Sequence, residues 1–286
     1  MFKKINHYLS LVKFAHTLFA LPFAFIGFFL AVRIENKEPD YFLALLVLLC
    51  MVFARNTAMA FNRYTDRNID KDNYRTAGRE IPAKTISPAS ALLFVILNAA
   101  LFISATFFLN KLCFYLSPVA LLVIMGYSFT KRFTFLCHLI LGVGLALAPI
   151  GAYIAVTGYF NLLPLLFSLT VLFWVSGFDI IYALQDIDFD KSQRLKSIPA
   201  ILGIKNALIV SSVFHFITVC FIVYAGIYMH FGLFYWIGSI LFISLLLYQH
   251  LIISPKDLSR INVAFFTTNG IASVLFGIFV IIGLYL

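Results

Sequence analysis

Apolar positions in this chain come in long unbroken runs, not in alternation. Runs over 14–32, 41–61, 89–109, 112–129, 136–157, 160–184, 207–229, 232–253 and 264–286 each approach the ~20 residues that a helix needs to cross a bilayer. No run alternates inside and outside positions, so the runs predict helices and not the strands of a barrel. Polar residues gather between them. Most connections are short (110–111, 130–135, 158–159 and 230–231), and two are long, 62–88 and 185–206. The pattern predicts an all-α polytopic membrane protein. Nine transmembrane helices would form one bundle over residues 1–286, with no separate soluble domain.

Composition agrees. Of 286 residues, 62% are hydrophobic and mean hydropathy is +0.98, against about 45–50% apolar in soluble domains. The net charge of +9 matters less than its placement. Alternate gaps between runs hold seventeen of the 21 lysines and arginines on one side and three on the other, with Arg55 inside a run. By the positive-inside rule the N-terminus is cytoplasmic, and nine spans put the C-terminus outside. The basic excess is therefore a topology signal and does not point to nucleic acid. The first run is too long for a cleaved signal peptide and lacks a small-residue cleavage site. Cys50, Cys113, Cys137 and Cys220 sit in apolar runs without paired spacing and read as small buried hydrophobes. The six histidines show no i, i+4 pair, so no histidine metal site is expected.

Acidic residues are scarce and concentrated. Eight of the twelve fall within 61–80 and 179–190, each segment closing a long apolar run. Carboxylates at a membrane helix end need a counter-charge, a metal or water. Each acidic segment leads into a basic stretch and an Ile-Pro-Ala, at Ile81-Pro82-Ala83 and Ile198-Pro199-Ala200. The two copies are four spans apart and so share an orientation. This predicts a parallel internal repeat about an axis along the membrane normal, with both motifs facing one cavity on the cytoplasmic side.

Asn62, Asp66 and Asp70 are spaced i, i+4, i+8, and Asp179, Tyr182, Asp186 and Asp190 run i, i+3, i+7, i+11. On helices each set shares one face. Oxygen-only ligands suit Mg²⁺, which takes one or two carboxylates together with substrate phosphates. Two such faces can clamp a diphosphate through metal ions, while Arg67, Arg75, Arg79, Lys131, Arg132, Arg194 and Lys196 are placed to neutralise its remaining charge.

Asn-x-x-x-Asp-x-x-x-Asp after the second run and Asp-x-x-Tyr-x-x-x-Asp-x-x-x-Asp after the sixth resemble the paired signatures of the UbiA-type intramembrane prenyltransferases. Tyr127 to Lys131 resembles that family's Tyr-x-x-x-Lys element. The resemblance implies an enzyme that moves a polyprenyl group from an allylic diphosphate to an aromatic ring with Mg²⁺ as cofactor. It implies that Asn62, Asp66, Asp70, Asp186 and Asp190 bind the metal and diphosphate. Tyr127, Lys131, Arg67 and Tyr182 would support substrate, and Asp179 would lie nearer the acceptor. Stretches 16–23 and 58–63, the latter leading into 76–82, resemble the 4-hydroxybenzoate polyprenyltransferases and their dihydroxynaphthoate-prenylating relatives; Ala15 departs from the Glu common among them. Arg55 and Arg63 would hold the acceptor carboxylate, and His16 would pack in the helix. The expected setting is the cell membrane (the inner one in a Gram-negative cell), with quinone biosynthesis as the role. A dihydroxynaphthoate or haem acceptor stays open, as does an ion-coupled transporter. Charges confined to one end of the spans favour the enzyme.

Overall fold

The computed structural model describes residues 2–12 and 19–286, with side chains from residue 7 onward. Lys13, Ala15 and His16 lie outside the described residues, as does the start of the first predicted span.

The described chain is helical with no β-strand. In order come α1 (Phe2–Leu11), α2 (Leu21–Ile34), α3 (Tyr41–Thr65), α4 (Arg67–Asp72), α5 (Pro88–Leu109), α6 (Lys111–Thr130), α7 (Cys137–Thr157), α8 (Leu162–Ala183), α9 (Ile187–Ser192), α10 (Ile198–Tyr228), α11 (Leu233–Ile252) and α12 (Asn269–Tyr285). A 3₁₀ turn, Leu184–Asp186, joins α8 to α9, and a π-helical turn, Val263–Thr268, precedes α12. Among the described residues eight helical segments are long and apolar enough to cross a membrane. The shorter apolar Leu21–Ile34 stands where the first of the nine predicted spans ends.

Helix starts follow local capping rules. Side chains of Asp40, Ser87, Asn110, Asn161 and Ser197 accept hydrogen bonds from backbone N–H groups of the first turns of α3, α5, α6, α8 and α10, satisfying donors that a helix leaves open. Pro88 and Pro199 occupy first-turn positions, where the missing N–H costs nothing. These caps correct one expectation. Ile81-Pro82-Ala83 lies in a run of turns, and the proline that starts the next helix is Pro88. The structural match to Ser197–Ala200 is thus Ser87–Ser90, not the shared tripeptide. Gly203, at φ +73°, kinks α10 just after its start, a backbone state open to glycine.

α3 lies against α5, and α8 lies against α10. α8 is also flanked by α7, and α7 by α2. A Cβ on Gly27 of α2 would sit 2.9 Å from the Cα of Pro149 in α7, so that approach requires glycine. Phe23, Trp174, Phe242 and Phe276 fill the core between α2, α8, α11 and α12. The Trp174 Nε1–H is satisfied by Asn269 Oδ1 at 2.9 Å. Much of the aromatic content therefore serves packing.

Candidate active site

Both acidic motifs open into one cavity of 1190 Å³. It begins at the C-terminal ends of α3, α6 and α8 and reaches Val47 and Cys113 near the starts of α3 and α6, Ala155 at the end of α7 and Phe160 just before α8. Asp66 to Val47 is nineteen residues of helix, or ~28 Å at 1.5 Å per residue, close to the ~30 Å of bilayer hydrocarbon. The mouth is charged and the shaft apolar.

The motif faces survive two local breaks. α3 ends at Thr65, and Asp66 takes a non-helical backbone before α4. The Asp70 N–H still reaches the Asp66 carbonyl at 2.7 Å, so Asn62, Asp66 and Asp70 stay on one side. In the second motif the 3₁₀ turn carries Asp186, and Asp190 lies in α9. All five line the cavity.

Four of the motif carboxylates are paired with a cation from another segment. Arg132 Nη2 donates to Asp66 Oδ1 at 2.9 Å, Arg79 Nη1 to Asp70 Oδ1 at 2.6 Å, and Lys131 Nζ to Asp190 Oδ1 at 2.7 Å. Arg75 Nε donates to Asp186 Oδ1 at 3.0 Å. Lys131 and Arg132 are consecutive yet reach opposite motifs. Asn73 Nδ2 also donates to Asp186 Oδ1, at 3.1 Å, and Ser197 Oγ donates to Asp190 Oδ2 at 2.8 Å. Burial holds the Asp66 carboxyl above its ordinary range despite Arg132. Burial also opposes the Lys131 ammonium, but Asp190 outweighs it and raises its pKa, so Lys131 stays charged.

Among the described residues no three His, Cys, Asp or Glu side chains converge as a ready-made cation site. The donor set nonetheless fits a hard cation that takes much of its shell from a substrate. It is all oxygen, and Asp70 Oδ2 is buried with no protein partner. Asn62 Nδ2 donates to Asp66 Oδ2 at 3.0 Å, which fixes the amide beside the carboxylates.

The other candidates divide. Tyr127, Lys131, Tyr182, Arg55, Arg63 and Asp179 line the cavity. The Tyr182 hydroxyl accepts from Arg75 Nη1 at 3.1 Å, and its ring stacks on Phe265 with centroids 4.1 Å apart. Arg63 is 5% exposed, with Nε and Nη1 buried and unpartnered. Arg67 is a correction. Its guanidinium folds back over the Tyr64 ring and donates to the Tyr64 carbonyl at 2.6 Å, and it does not line the cavity. Arg194 and Lys196 are likewise outside it; Lys196 Nζ donates to the Phe133 carbonyl at 3.1 Å. Helical periodicity places Cβ atoms but not the course of a long flexible side chain.

Asn73, Ser197 and His138 were not among the residues predicted for the site. His138 Nδ1 lies 2.7 Å from Asp179 Oδ2. Asn73 follows the first motif closely and could have been suspected; His138 belongs to a different span, with nothing in the local pattern to mark it.

Comparison with known proteins agrees with this geometry. Residues 20–271 match the UbiA prenyltransferase family. A 4-hydroxybenzoate octaprenyltransferase of Nitrosomonas eutropha is 30% identical over 249 residues, covering 83% of each chain. One of Aeromonas salmonicida is 29% identical over 83% of this chain and 82% of its own. A UbiA homologue from Aeropyrum pernix K1, solved in its apo form, superposes with a TM-score of 0.84 at 30% identity, covering 93% of this chain and 97% of that one. A UbiA homologue from Archaeoglobus fulgidus, solved bound to DMAPP and Mg²⁺, shares the fold with a TM-score of 0.75 at 24% identity, over 97% of this chain and 98% of its own. The paired motifs, their common cavity and the match across most of the sequence agree: this multi-pass membrane protein belongs to the UbiA prenyltransferase family.

Proposed function

We propose that the protein transfers a long polyprenyl group from its allylic diphosphate to the ring of a small aromatic acid, 4-hydroxybenzoate first among them, in quinone biosynthesis. The observation that carries this reading is the cavity's polarity. Two carboxylate motifs and four cations meet at its mouth, and an apolar shaft continues for nearly the depth of a bilayer. An ion-coupled transporter would need its charges near the midplane, and the family match sets that reading aside.

The diphosphate would lie at the mouth, its metal held by Asn62, Asp66, Asp70, Asp186 and Asp190. Bound Mg²⁺ would supply Lewis-acid neutralisation of the departing oxygens. Arg75, Arg79, Lys131 and Arg132 would turn from the carboxylates they now hold toward phosphate oxygens, supplying preorganised positive charge where negative charge develops. Tyr127 would assist from between Asp66, Asp179, Arg55 and Arg63. The isoprenoid tail would fill the shaft, which excludes water from the allylic cation. Phe178, Tyr182, Phe265 and Phe266 form a ring cluster on the Asp179 wall, suited to facing that cation. Arg55 or Arg63 would hold the acceptor carboxylate. The relatives named for 4-hydroxybenzoate favour that acid over a dihydroxynaphthoate or haem. With the N-terminus and the mouth cytoplasmic, soluble substrates and Mg²⁺ would enter from the cytoplasm, in the cell membrane.

The test is mass spectrometry of products from membranes given one polyprenyl diphosphate and a panel of aromatic acids. Prenylated 4-hydroxybenzoate is expected. A product on an uncharged acceptor alone would overturn the assignment.

A further inference from the structure

Asp179 differs from the other motif carboxylates. Asp66, Asp70, Asp186 and Asp190 each pair with an arginine or lysine, whereas among the described residues the ion-pair partner of Asp179 is His138 alone. A carboxylate gripped by an arginine or lysine is a poor base. His138 engages Asp179 at Oδ2, and the carboxylate's second oxygen is left to take a proton from the cavity side.

The contact is built by helix packing. His138 and Gly142 lie one turn apart on α7, and Leu172, Ser176 and Asp179 share the facing side of α8. A Cβ on Gly142 would stand 2.5 Å from both the Leu172 carbonyl oxygen and Ser176 Oγ, so glycine sets the helix separation. Ser176 Oγ donates to the His138 carbonyl at 3.1 Å. His138 is 2% exposed, and its Nε2 is buried with no partner. Asp179 is 22% exposed and lines the cavity. It sits seven residues inward of Asp186, or ~10 Å along the helix, below the diphosphate mouth and beside the aromatic wall.

We infer that Asp179 takes the ring proton released in the prenyl transfer, and that His138 is the positioning residue that holds it for this step through Nδ1. The inference rests on the aromatic-acceptor reading above. The allylic C–O bond breaks with its electron pair leaving on the diphosphate. A ring π pair forms the new C–C bond. The ring C–H pair then restores aromaticity, and the proton passes to the cavity-facing oxygen of Asp179. Nδ1–H of His138 keeps Oδ2 occupied and the carboxylate plane fixed. Asp179 later returns the proton to solvent at the mouth.

The experiment compares 4-hydroxybenzoate with the same acid deuterated at both ring positions beside the hydroxyl, in wild-type membranes and in His138→Leu, His138→Asn and Asp179→Asn. Proton loss from the charged ring is fast in the wild type, so no primary isotope effect is expected there. His138→Leu should lower kcat about tenfold or more, within the ~10²–10⁴ range of general acid–base contributions. It should leave KM for the prenyl diphosphate within about twofold, because it leaves the diphosphate-binding pairs intact. A primary isotope effect should appear in it. His138→Asn, which keeps a donor near Nδ1, should recover part of kcat and shrink that effect. Asp179→Asn should show the largest effect. If His138→Leu does not accumulate, Asp179→Asn decides: wild-type kcat without an isotope effect overturns the proposal. So does a His138→Leu variant whose kcat falls with no isotope effect, the signature of a merely structural histidine. A wild type that prenylates no aromatic acid would bring down the acceptor reading as well; a productive wild type beside a silent His138 series would bring down this inference alone.

Discussion

Arg75, in the segment after the first acidic motif, grips Asp186 of the second: Nε stands 3.0 Å from Oδ1, and the same guanidinium reaches the Tyr182 hydroxyl. Residues 111 apart are thereby tied across the cavity mouth, and the cation is stored where a diphosphate would need it. The pair is well shielded but not sealed, at 23% and 11% side-chain exposure, so breaking it should cost less than the ~3–5 kcal/mol of a fully buried pair. Arg75→Ala should raise KM for the prenyl diphosphate roughly ten- to a hundredfold, from a lost charge-assisted hydrogen bond of about 1.5–3 kcal/mol. Steady-state kinetics in membranes checks this, and an unchanged KM would show that Arg75 only braces the mouth.

Turnover should require Mg²⁺ or a similar hard divalent cation. Membranes stripped with chelator should be inactive and recover on adding Mg²⁺. Asp66→Asn and Asp190→Asn should each abolish most turnover while insertion stays normal, since each removes ligand charge and leaves the apolar spans intact. Full activity in chelator-treated membranes would falsify the metal reading.

Donor and acceptor binding should separate by residue. Lys131→Ala should mainly raise KM for the prenyl diphosphate. Arg55→Ala or Arg63→Ala should mainly raise it for the aromatic acid, again by roughly ten- to a hundredfold, and should matter less for an analogue without a carboxylate. If neither arginine variant distinguishes acid from uncharged analogue, the search for an acceptor moves to uncharged quinol precursors or haem.

The mouth should face the cytoplasm. Ser192 is exposed at the end of α9, so a cysteine placed there, with the four native cysteines replaced, should label from the cytoplasmic side. Labelling only from the outer face would invert the topology and the route by which soluble substrates arrive.

Glycine substitutions should sort by contact. Gly27→Ala would press its Cβ into the Pro149 backbone and should destabilise by about 1–3 kcal/mol, the usual cost of overpacking. Gly126→Ala meets nothing within 4 Å and should be neutral or slightly stabilising. Thermal denaturation in detergent measures both; equal midpoints would mean that α2 and α7 can part without loss.

What the chain determined by itself was whatever depends on local order. Twenty-residue apolar runs forced helices, because lipid leaves backbone groups no other partner. Capping side chains at Asp40, Asn110 and Asn161 marked where several helices start. The i, i+4 and i, i+7 spacings of Asn62, Asp66 and Asp70 and of Asp179, Asp186 and Asp190 put each set on one face of the cavity. Tertiary structure decided everything that joins distant segments. Lys131 and Arg132, neighbours in the chain, part to serve opposite motifs. Arg67, the residue next to Asp66 in the chain, folds onto Tyr64 and leaves the site. Ser87-Pro88, not the repeated Ile-Pro-Ala, begins the helix after the first motif. His138 reaches Asp179 only because Gly142 lets α7 and α8 approach closely. Periodicity fixes the direction in which a side chain leaves its helix, but the partner it meets depends on how close the neighbouring helix can come.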